Sequence, residues 1–343
     1  MKAEICSFGE VLLRFSPAPQ GEWIRQGTLP VFVGGAELNV ATALARWDLP
    51  VAYCSALPRN PLADDIIDYV ESRGIDPTPI LRSGQRIGSY YLTQGGDLKQ
   101  GGVHYDRNYS SFSDLDANQV DWQPILQDKK WLHLSAISPA LNAGVARACK
   151  ELVVAASERG ITISMDLNHR AQLWNYGSTP AEVMPDLVEH CDVVMGNIWS
   201  AHALLGIPLD TDIHAKGKRS HYVEHAQATA EALQSRFPRC KVIANTFRFD
   251  APPTGLRYFA TLDVDGKQYV SPELQTPSVV DKIGSGDCFM AGLMYGLYHQ
   301  HAPQEVIDFA ANAAFGKLQE KGDATQQTVD DIQNRMAAPS PAL

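Results

Sequence analysis

The string Asp281-Lys282-Ile283-Gly284-Ser285-Gly286-Asp287 sets two glycines between two aspartates, directly ahead of the apolar stretch CFMAGLMYGLY. Glycine allows backbone conformations with positive φ, so several N–H groups can turn toward one point. A helix that starts just afterwards adds its own unpaired N–H groups and roughly +0.5 of partial charge. Such a set suits an anion that gains charge as it reacts, for example a phosphoryl group in transit. Asp287, in the first helical turn, is placed to take a proton from an attacking hydroxyl. The same string also reads as a glycine-rich turn with an aspartate N-cap, and local physics leaves both readings open. It lacks the GK[ST] ending of a P-loop, and GxGxxG is absent, so neither nucleotide cradle is supported.

The chain that must position this turn has 343 residues, enough for one large α/β domain or two small ones. Its 45% hydrophobic and 20% charged residues are ordinary for a globular protein. No apolar run approaches the ~20 residues that span a bilayer. The start, MKAEICSFGEVLLRF, is interrupted by Glu4 and Glu10 and has no small-residue cleavage site. A signal peptide is therefore not expected, and a cytoplasmic location is. A formal net charge of -10 argues against nucleic-acid or membrane partners, while a few placed arginines could still hold an anionic substrate. Cys6, Cys54, Cys149, Cys191, Cys240 and Cys288 form no CxxC pair and read as reduced, packed thiols. His221 and His225 stand four apart without a third ligand, which favours an exposed helix face over zinc.

The first quarter reads as β-rich, with strands at Ile5–Phe8, Val11–Phe15 and Leu29–Val33, then a helix over Asn39–Arg46. Strand Val51–Ala56 precedes helix Ala63–Arg73, closed by Gly74. Gly88–Gln94 and Val103–Arg107, joined by GGDLKQGG, predict a hairpin with polar and aromatic side chains on one face. From Trp131 strands alternate with helices: strands Trp131–Ser135, Ile161–Leu167, Val193–Gly196 and Lys241–Thr246, and helices Gly144–Arg159, Pro180–His190 and Glu224–Phe237. A hairpin, Tyr258–Val264 and Gln268–Ser271, turns at Asp265-Gly266. Helices Gly286–Gln300, Pro303–Lys321 and Thr328–Met336 follow, and 336–343 is expected to be a disordered tail. Such alternation predicts a three-layer α/β/α domain over 1–335 with a mostly parallel sheet. Ligands would sit beyond the strands' carboxyl ends. Strands near 11–35 and 86–108 would form a separate small lid sheet.

Gly34-Gly35-Ala36-Glu37-Leu38-Asn39-Val40-Ala41 resembles the first signature of the PfkB, or ribokinase-like, carbohydrate kinases, and Asp281–Gly292 (DKIGSGDCFMAG) resembles their second. The two lie about 250 residues apart, in that family's order, and the resemblance covers roughly residues 3–335. It implies the ribokinase-like fold, an anion hole at Gly284, Ser285 and Gly286, and Asp287 as catalytic base. Gly34, Gly35 and Asn39 would meet the sugar. Within the family the chain looks most like 2-keto-3-deoxygluconate kinases. Asp166-Leu167-Asn168-His169-Arg170 resembles their DxNxR segment, Tyr105-Asp106-Arg107 their lid Tyr-x-Arg, and Tyr90 the tyrosine of the preceding strand. Arg107 and Arg170 suit a carboxylate and the phenols suit hydroxyl or keto oxygens, which points to a sugar acid. Arg170 could instead pair with Asp166, and Tyr90 could serve lid or dimer packing.

By the same resemblance Asn197, Thr246, Arg248 and Asn312 would lie along the nucleotide. Two departures stand out. Ser200 replaces the acid of N-x-x-E, which helps organise magnesium, and Thr246-Phe247-Arg248 replaces a Thr-Leu-Gly-type turn. ATP and Mg²⁺, the latter held mainly through phosphates, are the implied cofactors, with a monovalent cation as a further candidate. The expected reaction is ATP-dependent phosphorylation of a sugar acid's terminal hydroxyl, giving the 6-phosphate. The alternatives are a kinase for a neutral ketose or a nucleoside, and a sugar-binding protein with weakened catalysis. The open lid sheet needs its edge or face covered, so a homodimer or higher homo-oligomer through the lid is expected.

Overall fold

The computed structural model describes residues 2–17, 24–25, 27–93, 102–251 and 254–338. Among these, nine strands form the main sheet. Six run parallel in the order Val242–Ala251, Val193–Gly196, Thr162–Asp166, Trp131–Ser135, Ile5–Phe8 and Val51–Cys54. Gly255–Val264 extends the sheet antiparallel beside Val242–Ala251 and pairs in turn with Lys267–Val270 and Leu274–Thr276. The parallel strands are apolar on both faces because helices cover both. One apolar cluster lies under helices Ala36–Arg46, Pro61–Ser72, Ser285–Tyr298, Pro303–Lys317 and Val329–Ala337. The other lies under Ala143–Glu158, Ile198–Leu205 and Arg219–Arg236. These are the three layers expected.

The lid is a separate four-stranded sheet in the order Val31–Gly34, Leu12–Phe15, Gly88–Tyr91, His104–Asp106. Leu12–Phe15 follows Ile5–Phe8 of the main sheet after three residues, so the lid is rooted in the core. Most of the GGDLKQGG connection, and the end of the strand expected to reach Gln94, lie outside the described residues. So does most of the tail expected from 336, although helix Val329–Ala337 runs into its start.

Local rules explain most element starts. Asn60 and Asn142 cap their helices through side-chain oxygens, with Pro61 at the first helical position. Gly206 closes Ile198–Leu205 in the left-handed conformation. Two expectations are corrected, and one helix is new. The helix expected over Pro180–His190 is two short ones, Pro180–Val183 and Pro185–Val188, because Pro185 cannot donate within a continuous helix. The strand expected to end at Thr246 continues to Ala251, held by ten paired positions along Gly255–Val264. Helix Ile198–Leu205 was not anticipated; it starts in a capping box made by Asn197 and Ser200.

Candidate active site

Helix Ser285–Tyr298 starts at the floor of a cleft of about 650 Å³. Its position is set by close packing: a side chain at Gly292 would come within 2.7 Å of the Ala310 backbone, so only glycine lets the two helices approach so closely. Gly284 takes φ 77°, and its carbonyl accepts the first helical bond, from Cys288 N at 2.8 Å. The N–H groups of Ser285, Gly286 and Asp287 therefore come before the helical ladder, in three residues that line the cleft. Asp281 braces the turn, its Oδ1 accepting from Ile283 N at 3.0 Å.

Asp287 lies in this cleft, nearly buried, and its Oδ2 accepts from Asn39 Nδ2 at 2.7 Å. Burial is the main reason its carboxyl is pushed up from 3.8 to about 7. The Asn39 bond and the positive charge of Arg170 pull it back down, while Glu37 and Asp323 push it further up. The result is a carboxylate poised close to neutral pH, where a general base works best.

The same cleft collects Gly35, Tyr90, Tyr105, Arg107 and Arg170, together with Asn197, Ser200, Thr246, Arg248 and Lys282. Asp166 and Gly196, the last residues of two parallel strands, also line it, as expected for the carboxyl edge of such a sheet. Residues from the first signature, the lid and the carboxyl third thus share one cavity.

Several expected site residues are held in ways the sequence did not reveal. Arg107 is paired with buried Glu10 at 2.6 Å. Tyr90 donates its hydroxyl to Asp323 at 2.9 Å, although its ring still lines the cleft. Arg170 Nη1 donates to the His169 carbonyl at 3.1 Å. Gly34 is not in the cleft lining, and a side chain there would run into the Asp323 carboxylate. Asn312 is also outside the lining and donates to the Asp308 carbonyl at 2.9 Å, inside its own helix. Asn197 and Ser200 bond each other as a helix cap, with Ser200 N donating to Asn197 Oδ1 at 2.9 Å.

Sequence reasoning missed a buried ionic cluster behind the turn. Arg14, on a lid strand, pairs with Asp323 at 2.7 Å and Asp281 at 3.3 Å. Gly322 N donates to the same Asp281 oxygen at 3.3 Å. It also missed Glu37, buried against Ser135, whose carboxyl is pushed up by burial, and Trp199, a wall of the cleft stacked on His214. Arg14 and Glu10 had a usable signal, since each is a lone charge in an otherwise apolar stretch. Asp323 had none, because it sits among other polar residues in a loop.

A parallel-sheet cleft with an amide-lined turn, an adjoining buried carboxylate and a sheet lid defines a phosphotransferase that acts on an alcohol. The chain belongs to the pfkB family of carbohydrate kinases, whose model matches residues 2–329. It is similar to a 2-dehydro-3-deoxygalactonokinase of Haloferax volcanii, with 28% identity over 97% of this chain and 96% of that one. The crystal structure of a 2-dehydro-3-deoxygluconokinase from Thermotoga maritima superposes with a TM-score of 0.87 at 30% identity, covering 98% of this chain and 100% of the other. A fructokinase structure with bound ATP from Xylella fastidiosa shares the fold alone, with a TM-score of 0.74 at 19% identity, covering 97% of this chain and 98% of that one.

Proposed function

We propose that this carbohydrate kinase transfers a phosphoryl group from ATP to the terminal hydroxyl of a 2-keto-3-deoxy sugar acid, with 2-keto-3-deoxygluconate giving its 6-phosphate. The observation that carries this reading is the meeting, in one cleft, of Asp287 and the Gly284–Asp287 amides with Arg107 and Arg170. A neutral hexose has little use for a guanidinium group, whereas a carboxylate pairs with Arg170 well, Arg107 being already paired with Glu10. The similar 2-dehydro-3-deoxygalactonokinase of Haloferax volcanii and 2-dehydro-3-deoxygluconokinase of Thermotoga maritima support the substrate class.

In this reading the sugar lies between Gly35, Asn39 and the lid, with its terminal hydroxyl toward Asp287. Asn39 holds the Asp287 carboxylate in place, and that carboxylate removes the hydroxyl proton as the bond to phosphorus forms. The amides of Gly284, Ser285, Gly286 and Asp287 stabilise the charge on the transferring group. Alignment and charge stabilisation supply most of the acceleration, because the phosphoryl-transfer transition state is loose. Lid closure excludes water and limits ATP hydrolysis. Tyr105 orients sugar oxygens, while Tyr90 acts from behind, through Asp323.

A second group of cleft residues suits a nucleotide's phosphates. Arg248 and Lys282 bring positive charge there, and Thr246 and Asn197 bring polar atoms. Mg²⁺ fits as an ion carried in on the phosphates, where it would supply charge neutralisation; Ser200 offers it no carboxylate. Asn312, within its helix, has at most an indirect part. A lid-to-lid homodimer belongs to this reading because Val31–Gly34 and His104–Asp106 are the lid's outer strands and need cover.

The test is a panel of 2-keto-3-deoxygluconate, its galacto epimer, fructose, a tagatose-type sugar and a nucleoside, each with Mg-ATP and read by ADP release. Preference for the two sugar acids is expected; equal or faster turnover of the neutral compounds would overturn the substrate assignment.

A further inference from the structure

Lys317, the last residue of helix Pro303–Lys317, has no exposed surface. Its Nζ donates to the Glu320 carbonyl at 3.3 Å, the one hydrogen bond of this ammonium among the described residues. An ammonium carries three donors and a full charge, and burying it with so little compensation is costly. A lysine that only soothes a helix carboxyl end can do so from the surface. The burial here places Lys317 against the turn itself: its Cε lies 3.4 Å from the point a side chain at Gly284 would occupy. The Asp323 backbone carbonyl closes off that same point.

The charges behind the turn explain why a cation is useful there. Asp281 and Asp323 are both buried at the rear of the amides that receive the phosphoryl group, and Arg14 is shared between them. Two carboxylates and one guanidinium would leave a net negative charge behind an anion hole. Burial pushes the Asp323 carboxyl up, while Arg14, the Tyr90 hydrogen bond and the Lys317 ammonium favour its charged form; with Lys317 counted, the charged set is neutral. Repulsion of the incoming phosphates is thereby removed, and the amides act without an opposing field.

We propose that Lys317 is a positioning and charge-balancing residue of the anion hole, a cation built into the chain, so that turnover does not depend on a dissolved monovalent cation. The inference rests on the anion-hole role of Gly284–Asp287. Lys317→Met deletes the charge at similar volume, and Lys317→Ala also leaves room for an ion. Wild type and both variants are assayed at equal ionic strength in potassium, sodium, ammonium and choline chloride, with whichever sugar the wild type turns over. Melting temperatures are taken in the same salts.

The wild-type rate and melting temperature should be the same in all four salts, within about two-fold for the rate. Lys317→Met should lower kcat at least ~10-fold, less than the ~10²–10³ of losing an anion-hole donor outright, with little change in the sugar's KM. Lys317→Ala should regain activity in potassium or ammonium over choline, and should melt higher in those salts, because an ion that binds only the folded state stabilises it. A purely structural lysine would give variants with lower melting temperatures and no ion selectivity. A wild type that needs potassium, a Lys317→Met kcat within two-fold of wild type, or a Lys317→Ala variant blind to the ion would each overturn the proposal. Should neither variant fold, the wild-type salt series still decides it. Failure of the anion-hole reading would appear separately, as near-normal turnover by Asp287→Asn.

Discussion

Asparagine at position 287 keeps the shape of the side chain and its acceptor oxygen for Asn39, and removes the charge. The wild-type carboxyl is pushed from 3.8 to about 7, chiefly by burial. A raised folded-state pKa means the unfolded chain gives up this proton first. Below about pH 4 both states hold the proton and the group is neutral to stability. From there to about pH 7 the folded state loses ground as pH rises, and above 7 the full penalty stands. The shift is about three units, which at about 1.36 kcal/mol each sets a ceiling of about 4 kcal/mol. Asp287→Asn escapes this penalty. Its melting temperature should exceed the wild type's by several degrees at pH 8, and the gap should close toward pH 4.5. Turnover should move the other way, with kcat falling at least ~10²-fold, the usual range for a lost general base. The wild-type kcat/KM should rise through an acid limb centred near 7, and the variant's residual rate should lack that limb. Differential scanning fluorimetry and an ADP-release assay from pH 4.5 to 9 provide both readings. A variant that turns over nearly normally, or a stability gap that shrinks as pH rises, would refute the reasoning.

Arg170→Ala should raise KM for the sugar acid by ~10-fold or more while leaving a neutral ketose nearly unaffected; equal losses for both would count against a carboxylate clamp. Arg107→Ala is a poorer probe, because it strands buried Glu10 and should cost about 3–5 kcal/mol of stability, read as a lower denaturant midpoint. Gly284→Ala puts a side chain where the Asp323 carbonyl lies, at φ 77°, so a clear loss of melting temperature and of kcat is expected, checked by calorimetry and turnover. Ser200→Glu places an acid at the third position of helix Ile198–Leu205, next to its Asn197 cap. It should leave stability unchanged or slightly improved and lower the Mg²⁺ concentration for half-maximal rate several-fold, seen in a metal titration.

The strand and helix alternation after Trp131 was readable because buried parallel strands are short apolar runs and helices carry their own caps and closing glycines. The turn at Gly284 and the acid at Asp287 were readable for a related reason: backbone freedom and an adjacent helix start are properties of consecutive residues. Lone charges in apolar stretches, such as Arg14, carried a signal that was not used. By contrast, the length of the strand through Arg248 depended on a partner, Gly255–Val264, whose pairing reaches past any local breaker.

By itself, then, the order of residues determined the layers, the separate small sheet and the glycine turn with its helix start, since each follows from neighbours along the chain. Tertiary structure alone decided which charges meet. Arg14 reaches Asp281 across 267 positions and Arg107 reaches Glu10 across 97. Lys317 comes to lie behind Gly284 only after two helices have packed through Gly292. Electrostatic energy depends on separation in space and on burial, and neither is written into the spacing of residues along the chain.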